Sequence, residues 1–215
     1  MLDVAIPVDI APVVRKLGRV DYAEALAAMR LFTAQRSEET PDELWLLEHP
    51  PVYTLGQGAD AAHGPGPGTG IEVLRVERGG EVTYHGPGQL VVYTLVDIAR
   101  RGIKVREYVR LLEESLIDLL ATHGVTAARK TGAPGVYVNG AKVAALGIRI
   151  TRGRALHGLA LNVDMDLAPF SSIDPCGYPG LAVTQTRDLG IPAGIDALGE
   201  ELARRISGHL EARHA

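Results

Sequence analysis

Two residues break the local pattern of this sequence in a way that suggests chemistry, and the first is Cys176. It is the only cysteine among 215 residues, and it lies in the segment 174–180, whose two prolines and two glycines predict a loop. A lone cysteine is usually a small buried apolar residue, but a cysteine in a loop can be exposed enough to react as a thiolate. Cys176 is therefore a candidate nucleophile that needs a neighbouring base.

Lys142 is the candidate base. It opens the run Lys142–Ile150, which predicts a strand, and in a strand without a bulge Lys142 shares an apolar face with Ala144 and Leu146. Desolvation on that face favours the neutral amine, which suits a base near pH 7. The alternative is a lysine at a strand end whose ammonium group reaches water. Lys142 and Cys176 are 34 positions apart (176 − 142), so only the fold can bring them together.

A glycine-rich segment precedes both residues, between Arg78 and Tyr93. Its glycines allow sharp bends and a close approach of the backbone to a ligand, and His85 lies between two glycine pairs. The run Gln89–Leu95 that follows is β-branched and apolar, which predicts a buried strand. The segment therefore resembles one that holds a ligand against a sheet, and the alternative is a tight turn with a structural histidine.

Composition limits the functional classes. Hydrophobic residues make up 46% and charged residues 22%, as in ordinary globular proteins, and the net charge of −4 excludes a globally basic nucleic-acid binder. The N-terminus does not have the basic start followed by an apolar run that indicates a secretory signal. No stretch approaches the roughly 18 apolar residues of a membrane span. A single cysteine permits no intrachain disulfide, which fits a reducing compartment. We expect a cytoplasmic protein without nucleic-acid or membrane partners.

The pattern predicts one α/β domain over residues 1–215, because strand and helix signals alternate and no linker divides the chain. Neither a dinucleotide fingerprint, a P-loop nor a metal-ligand constellation appears, so we expect no cofactor and no metal. The predicted strands cover 13–20, 43–47, 52–55, 71–76, 89–95, 136–138, 142–150 and 155–163. Asn139-Gly140, between the strands 136–138 and 142–150, predicts a hairpin turn. The predicted helices start at Asp21, at Val105 and at Ile195.

Three segments together resemble the lipoyl(octanoyl) transferase family: Arg78–Gln89, Gly140–Arg149 and Asp174–Gly177. Supporting stretches are Glu48–Gly56 and His157–Val163, and the order and spacing of all five make the resemblance specific. It covers about 44–185, and the numbering of Lys142 and Cys176 looks like that of a mycobacterial member.

The resemblance implies a fold shared with lipoate ligases and biotin protein ligases, a mixed and largely antiparallel sheet flanked by helices. It implies transfer of an octanoyl group from octanoyl-acyl carrier protein to a lysine on lipoyl domains of 2-oxoacid dehydrogenases and on the glycine-cleavage H protein. Cys176 would carry the acyl thioester, and Lys142 would activate it and move protons. The substrate-binding residues that the resemblance implies are Arg78, Gly79, Gly80, Glu81, Val82, Thr83, Tyr84, His85, Ala145, Leu146, Gly147, Gly158, Leu159 and Ala160.

Two other functions fit the same fold. An ATP-dependent lipoate or biotin ligase activates a free acid as an adenylate and needs no cysteine nucleophile. A non-catalytic module would bind lipoyl or acyl-carrier domains without a Cys176–Lys142 pair. For docking of an acidic acyl carrier protein by the transferase, Arg149, Arg152 and Arg154, with Arg129 and Lys130 nearby, form a candidate basic patch, and the alternative is an ordinary solvated turn.

Overall fold

Two β-sheets organise the residues that the computed structural model describes, which are 11–60, 64–66, 69–173 and 181–212. The strands of the larger sheet are β1 (Val13–Arg19), β2 (Glu43–Glu48), β6 (Gln89–Leu95), β7 (Gly135–Val138), β8 (Ala141–Thr151) and β9 (Arg154–Asn162). They lie in the order β1-β2-β6-β9-β8-β7. Strands β1 and β2 are parallel, whereas the other neighbours are antiparallel. The predicted mixed, largely antiparallel sheet is confirmed.

Two short hairpins join the last three strands of this sheet. Asn139-Gly140 connects β7 to β8 with φ angles of 49° and 85°, and Arg152-Gly153 connects β8 to β9 with 51° and 78°. Positive φ at both central residues is the geometry of two-residue turns that match the twist of the strands they join. The Asn-Gly turn predicted from the sequence is confirmed.

The smaller sheet carries the glycine-rich segment. Its strands are β3 (Val52–Leu55), β4 (Glu72–Arg75) and β5 (Val82–His85), in the order β4-β3-β5. The sequence analysis assigned no strand to Val82–His85, because the flanking glycines dominated its pattern. The pairing of β5 with β3 fixes this stretch, with Tyr84 opposite Tyr53.

Helices cover both faces of the larger sheet in the described residues. They are α1 (Tyr22–Gln35), α2 (Val105–Thr122) and α3 (Ile195–Glu211). Helices α2 and α3 pack together on one face and bury a leucine-rich core, while α1 packs on the other. Asp21 caps α1 as predicted, since its Oδ1 accepts hydrogen bonds from the amides of Ala23 and Glu24. Within this part of the chain, no helix combines the length and apolar composition that a membrane span requires.

A buried carboxylate ties the end of α1 to the loop before α2. Asp42 receives hydrogen bonds from the side chains of Arg36 (2.5 Å), Arg100 (2.9 Å) and Arg101 (2.6 Å), and from the backbone amide of Asp97 (2.8 Å). Burial opposes its ionisation, but the Asp97 amide and the guanidinium groups of Arg101 and Arg36 outweigh burial and lower the pKa of Asp42. The carboxylate therefore neutralises cations that would otherwise be buried without compensation.

We expect Asp42→Asn to destabilise the fold by about 3–5 kcal/mol, since removing one partner of a buried ion pair leaves its cations uncompensated. Urea unfolding measures this change. Asp164→Asn is the matched control, because Asp164 pairs with Arg187 at 2.7 Å where both side chains are more than half exposed. Such a surface pair contributes about 0–1 kcal/mol. Equal losses in the two variants would contradict the role given to Asp42.

Candidate active site

A narrow cavity of about 200 Å³ opens between the larger sheet and the Arg78–His85 segment. Its wall is mostly apolar, with polar groups at a few positions, as is usual for small-molecule sites. The residues that line it are Tyr22, Arg78, Gly79, Gly80, Glu81, Val82, Thr83, His85, Gln89, Val91, Tyr93, Val109, Pro134, Lys142, Ala145, Leu146, Gly147, Ile148, His157, Gly158, Leu159, Ala160, Asn162, Phe170 and Val183.

Lys142 and every residue implied as substrate-binding except Tyr84 belong to this wall. The ring of Tyr84 instead lies 5.4 Å from that of Tyr53 and 5.6 Å from that of Phe170, measured between centroids. The cavity therefore brings together segments that are far apart in the sequence. Their role in binding a substrate stays a prediction.

Small residues on facing strands leave the space for the cavity. Gly147 lies opposite Gly158, and Ala145 lies opposite Ala160. A Cβ atom at Gly158 would come 2.0 Å from the backbone oxygen of Val92, so this position accepts no side chain. The strands themselves thus require glycine at 158, and a larger residue there would disrupt the sheet rather than shorten the cavity.

A bulge in β8 decides which face of the sheet Lys142 occupies. Val136 pairs with Ala144 and Tyr137 pairs with Lys142, so Val143 is an extra residue that has no partner in β7. The expectation of a strand without a bulge is therefore wrong: Val143 and Ala144 are both buried in the α2–α3 core, whereas Lys142 lines the cavity. The side chain is still buried, with 5% of its surface exposed.

The amine of Lys142 is held at the wall by its neighbours. Its Nζ donates a hydrogen bond of 3.3 Å to the backbone oxygen of Pro134 and lies 5.3 Å from the centroid of the Tyr137 ring. A carbonyl oxygen and the face of an aromatic ring both stabilise an ammonium group. Cys176, the other predicted catalytic residue, lies outside the described residues.

Two histidines and two tyrosines form a hydrogen-bonded and stacked group at the cavity, and all of them except His49 line its wall. His49 Nδ1 donates to the carbonyl of Val20 at 2.7 Å, so its Nε2 accepts from the Tyr93 hydroxyl, also at 2.7 Å. The rings of Tyr22, His49 and His85 are mutual neighbours, with centroid distances of 4.9 Å for Tyr22–His49, 5.7 Å for Tyr22–His85 and 5.8 Å for His49–His85. Burial raises the pKa of Tyr93 well above its usual value and lowers that of His49, so both stay neutral near pH 7.

His85 is also neutral. Burial above all, and then the nearby His49 and Arg78, lowers the pKa of His85 to about 3. Its Nδ1 donates to Gln89 Oε1 at 2.7 Å, which leaves Nε2 as a hydrogen-bond acceptor. A group with so low a pKa is a weak base at pH 7.

His157 lines the cavity, and neither nitrogen of its ring has a hydrogen-bond partner among the described residues. It is 1% exposed, its φ is 63°, and its Nε2 lies 3.9 Å from Glu77 Oε1. Burial lowers the pKa of His157 to about 4, against the opposing effect of the Glu77 carboxylate. In the described residues, no group of three or more His, Cys, Asp or Glu side chains is arranged to bind a metal.

The sequence analysis missed the cavity residues Tyr22, Gln89, Tyr93, His157 and Asn162. One signal for three of them was present, because Gln89, His157 and Asn162 are polar residues within runs that otherwise predict buried strands. A buried polar side chain needs a partner or a function, so the three polar residues in these runs indicate a site.

The predicted basic patch is largely engaged in local contacts. Arg154 pairs with Asp97, and Arg129 pairs with both Glu113 and Glu114. Arg149 donates to Gln57 Oε1 at 3.1 Å, whereas Arg152 is exposed at the tip of the β8–β9 hairpin. A docking role for this region stays a prediction.

Comparison with known proteins gives a family that fits this geometry. The family model for the lipoyl protein ligase A/B catalytic domain matches residues 21–207. The chain belongs to the lipoyl protein ligase A/B catalytic domain family. The predicted relationship is thereby confirmed, while a mycobacterial source stays a prediction.

Close relatives of this family member are named octanoyltransferases. One from Dechloromonas aromatica is 55% identical over 203 residues, which cover 94% of this chain and 98% of the relative. One from Aromatoleum aromaticum is 59% identical over 192 residues, covering 89% and 83% of the two chains. One from Thiobacillus denitrificans is 57% identical over 208 residues, covering 95% of each.

Solved structures of the lipoate and biotin ligases share the fold. A lipoate-protein ligase A bound with ATP superposes with a TM-score of 0.77 at 18% identity, covering 94% of this chain and 86% of that one. A biotin protein ligase from Aquifex aeolicus, in complex with biotin and ATP, gives 0.59 at 14% identity, covering 93% and 70%. At these identities the likeness concerns the fold alone, and it confirms the predicted architecture.

Because the folded pKa of His157 is about 4 and the ordinary histidine value is about 6.5, the unfolded chain binds more protons between these values. The free energy of unfolding should therefore fall as the pH is lowered through this window. His157→Asn, which tolerates positive φ, should make the pH dependence shallower by up to about 1.4 kcal/mol per pH unit. Urea unfolding from pH 8 to pH 4 measures both slopes. The difference in the free energy of unfolding between the two chains at pH 8 gives the packing cost alone. Parallel pH curves for the two chains would rule out the titration of His157.

Proposed function

We propose that this chain transfers an octanoyl group from octanoyl-acyl carrier protein to the ε-amine of a specific lysine on lipoyl domains, the first step of protein lipoylation. Octanoyl transfer is the activity in the names of relatives that are 55–59% identical over most of the chain. The observation that carries the proposal is the buried Lys142 amine at the wall of a narrow, mostly apolar cavity. The lipoyl domains of 2-oxoacid dehydrogenases and the glycine-cleavage H protein are the acceptors in this proposal.

The first half-reaction acylates Cys176. The neutral amine of Lys142 takes the proton of the thiol, and the thiolate attacks the carbonyl carbon of the carrier thioester. The tetrahedral intermediate then collapses with release of the carrier thiolate, which takes the proton back from Lys142. The Pro134 carbonyl and the Tyr137 ring stabilise the ammonium group while it exists.

The second half-reaction moves the octanoyl group to the acceptor. The acceptor's neutral lysine amine attacks the thioester carbonyl, and Lys142 accepts the proton that this nitrogen loses. The Cys176 thiolate leaves as the amide forms, and Lys142 can return the proton to it. Both steps exchange one acyl bond for another, so no nucleotide is consumed. A cytoplasmic location belongs to the same proposal, because a free thiol at Cys176 needs a reducing compartment.

Intact mass spectrometry after mixing with octanoyl carrier in nucleotide-free buffer tests this function. We expect an octanoyl adduct on the wild-type chain that disappears on addition of a lipoyl domain. Cys176→Ser should lose the stable adduct and nearly all transfer. Strict dependence on ATP with free octanoate as the donor would place the chain among the ligases instead.

Lys142→Arg separates a base from a fixed positive charge. Arginine keeps the charge but does not release its proton near pH 7, so a base role predicts a fall of roughly 10²- to 10⁴-fold in single-turnover acylation. Lys104→Arg, at an exposed lysine outside both the cavity wall and the candidate basic patch, is the control and should acylate normally. Near-normal acylation by Lys142→Arg would contradict the base assignment.

The small residues of the cavity wall should determine the length of acyl chain that the enzyme prefers. Ala145 lines the cavity and Gly158 tolerates no side chain, so Ala145→Val is the usable substitution. It should lower kcat/KM for octanoyl relative to hexanoyl carrier by roughly 4-fold for each methylene that it excludes, since a buried methylene contributes about 0.8 kcal/mol. Ala141→Val adds the same atoms in the same strand outside the cavity wall and should leave the profile unchanged. An unaltered profile for Ala145→Val would place the chain terminus elsewhere.

A further inference from the structure

A chain of hydrogen bonds runs from His85 through two buried amides. His85 Nδ1 donates to Gln89 Oε1 at 2.7 Å, and Gln89 Nε2 donates to Asn162 Oδ1 at 2.9 Å. Asn162 Nδ2 then donates to the backbone oxygen of Thr184 at 3.0 Å. Every donor in this chain points the same way, so each amide has only one orientation that satisfies its neighbours.

The far end of this chain reaches Lys142 through the backbone. The amide of Lys142 donates to the oxygen of Ala182 at 2.8 Å, and its oxygen accepts from the amide of Thr184 at 3.0 Å. The segment 182–184 therefore forms hydrogen bonds with both backbone polar groups of Lys142, in a parallel bridge with Val183 opposite Lys142. Ala182 is six residues after Cys176 in the sequence, so this segment also continues directly from the stretch that contains the proposed nucleophile.

Asn162 is the residue that connects this segment to the cavity wall. Its side chain joins Gln89 of β6 to Thr184, and its backbone oxygen accepts from the amide of Thr186 at 2.9 Å. Gln89 and Asn162 are 2% and 4% exposed, and both line the cavity. Buried amides with satisfied partners hold a unique arrangement firmly, because any other orientation leaves a buried polar group without a bond.

We propose that Asn162 is a positioning residue, which sets the place of Lys142 against the cavity by holding segment 182–184 to Gln89. This role rests on the proposed function, in which Lys142 moves the protons of both half-reactions. Asn162 itself transfers no proton. Its contribution is geometric, and a displacement of about 1 Å at a reacting group can lower a rate by roughly 100-fold.

Two substitutions test the role of Asn162 from different sides. Asn162→Ala removes both side-chain bonds, whereas Asn162→Asp keeps an acceptor for Gln89 but places an oxygen against the Thr184 carbonyl. We expect both variants to lower the single-turnover rate of octanoyl transfer onto Cys176 by roughly 100-fold, with KM for the carrier nearly unchanged. Thermal unfolding of each variant shows whether the protein is folded at the temperature of the rate measurement.

Thr186→Val is the matched control. Thr186 is fully buried in the same part of the chain, and its Oγ1 donates to the Val163 oxygen at 3.3 Å, so the variant also loses one buried hydrogen bond. It leaves the chain from His85 to Thr184 intact and should acylate at the wild-type rate. An equal loss in Thr186→Val and the Asn162 variants would show a general loss of structure and overturn the proposal.

The single thiol supplies a readout that a purely structural role does not move. Alkylation of Cys176 by iodoacetamide, followed against pH, reports how well Lys142 supports the thiolate. In the Asn162 variants the midpoint should shift to higher pH, while Thr186→Val should keep the wild-type midpoint. A wild-type chain that forms no octanoyl adduct contradicts the proposed function and the role together. A wild-type adduct with unchanged rates and midpoints in the Asn162 variants contradicts the positioning role alone.

Discussion

The close approach of backbones at one face of β8 and β9 is the constraint on which the site depends. Gly158 has no room for a side chain, since a Cβ there would come 2.0 Å from the Val92 oxygen. Gly147 lies opposite Gly158, and because it has no side chain Arg78 and Gly79 can pack directly against the sheet. The Gly79 amide there donates to the Ile148 oxygen at 2.9 Å. The cavity is thus the space left between the small residues of β8 and β9 and the segment Arg78–His85 that lies across them.

Several polar groups at the cavity form hydrogen bonds within the protein. His49 and Tyr93 share a hydrogen bond, and His85 bonds Gln89. Burial keeps both imidazoles neutral at pH 7. Such neutral, paired groups are compatible with an apolar chain, because the chain removes little water from groups that already have partners. This combination leaves Lys142 to supply the proton chemistry in the proposed mechanism.

Local signals predicted most of the fold. The Asn139-Gly140 turn, the Asp21 cap and the amphipathic pattern of α2 each act over a few residues, so the sequence alone reveals them. The contacts around Asp42, the bulge at Val143 and the bonds from His85 to Thr184 join segments that only the tertiary fold brings together. The candidate residues Lys142 and Cys176 stood out as exceptions to local rules, but pattern alone put Lys142 on the wrong face of β8. Tyr22 and Tyr93 carried no signal, because aromatic residues are ordinary in such elements.

The bulge at Val143 also makes the placement of Lys142 sensitive to the gain or loss of one residue near the start of β8. The residues after the bulge pair with β9 at eight consecutive positions, from Ala144 to Thr151. The gain or loss of a residue near the start of β8 therefore does not change the face of the sheet on which their side chains lie. Deletion of the extra residue would turn Lys142 toward α2 and α3 while the rest of the strand stayed in place. A lysine moved by one position, to Val143, would enter the same leucine-rich core. A shift of the lysine by one position along the strand therefore takes the amine out of the cavity.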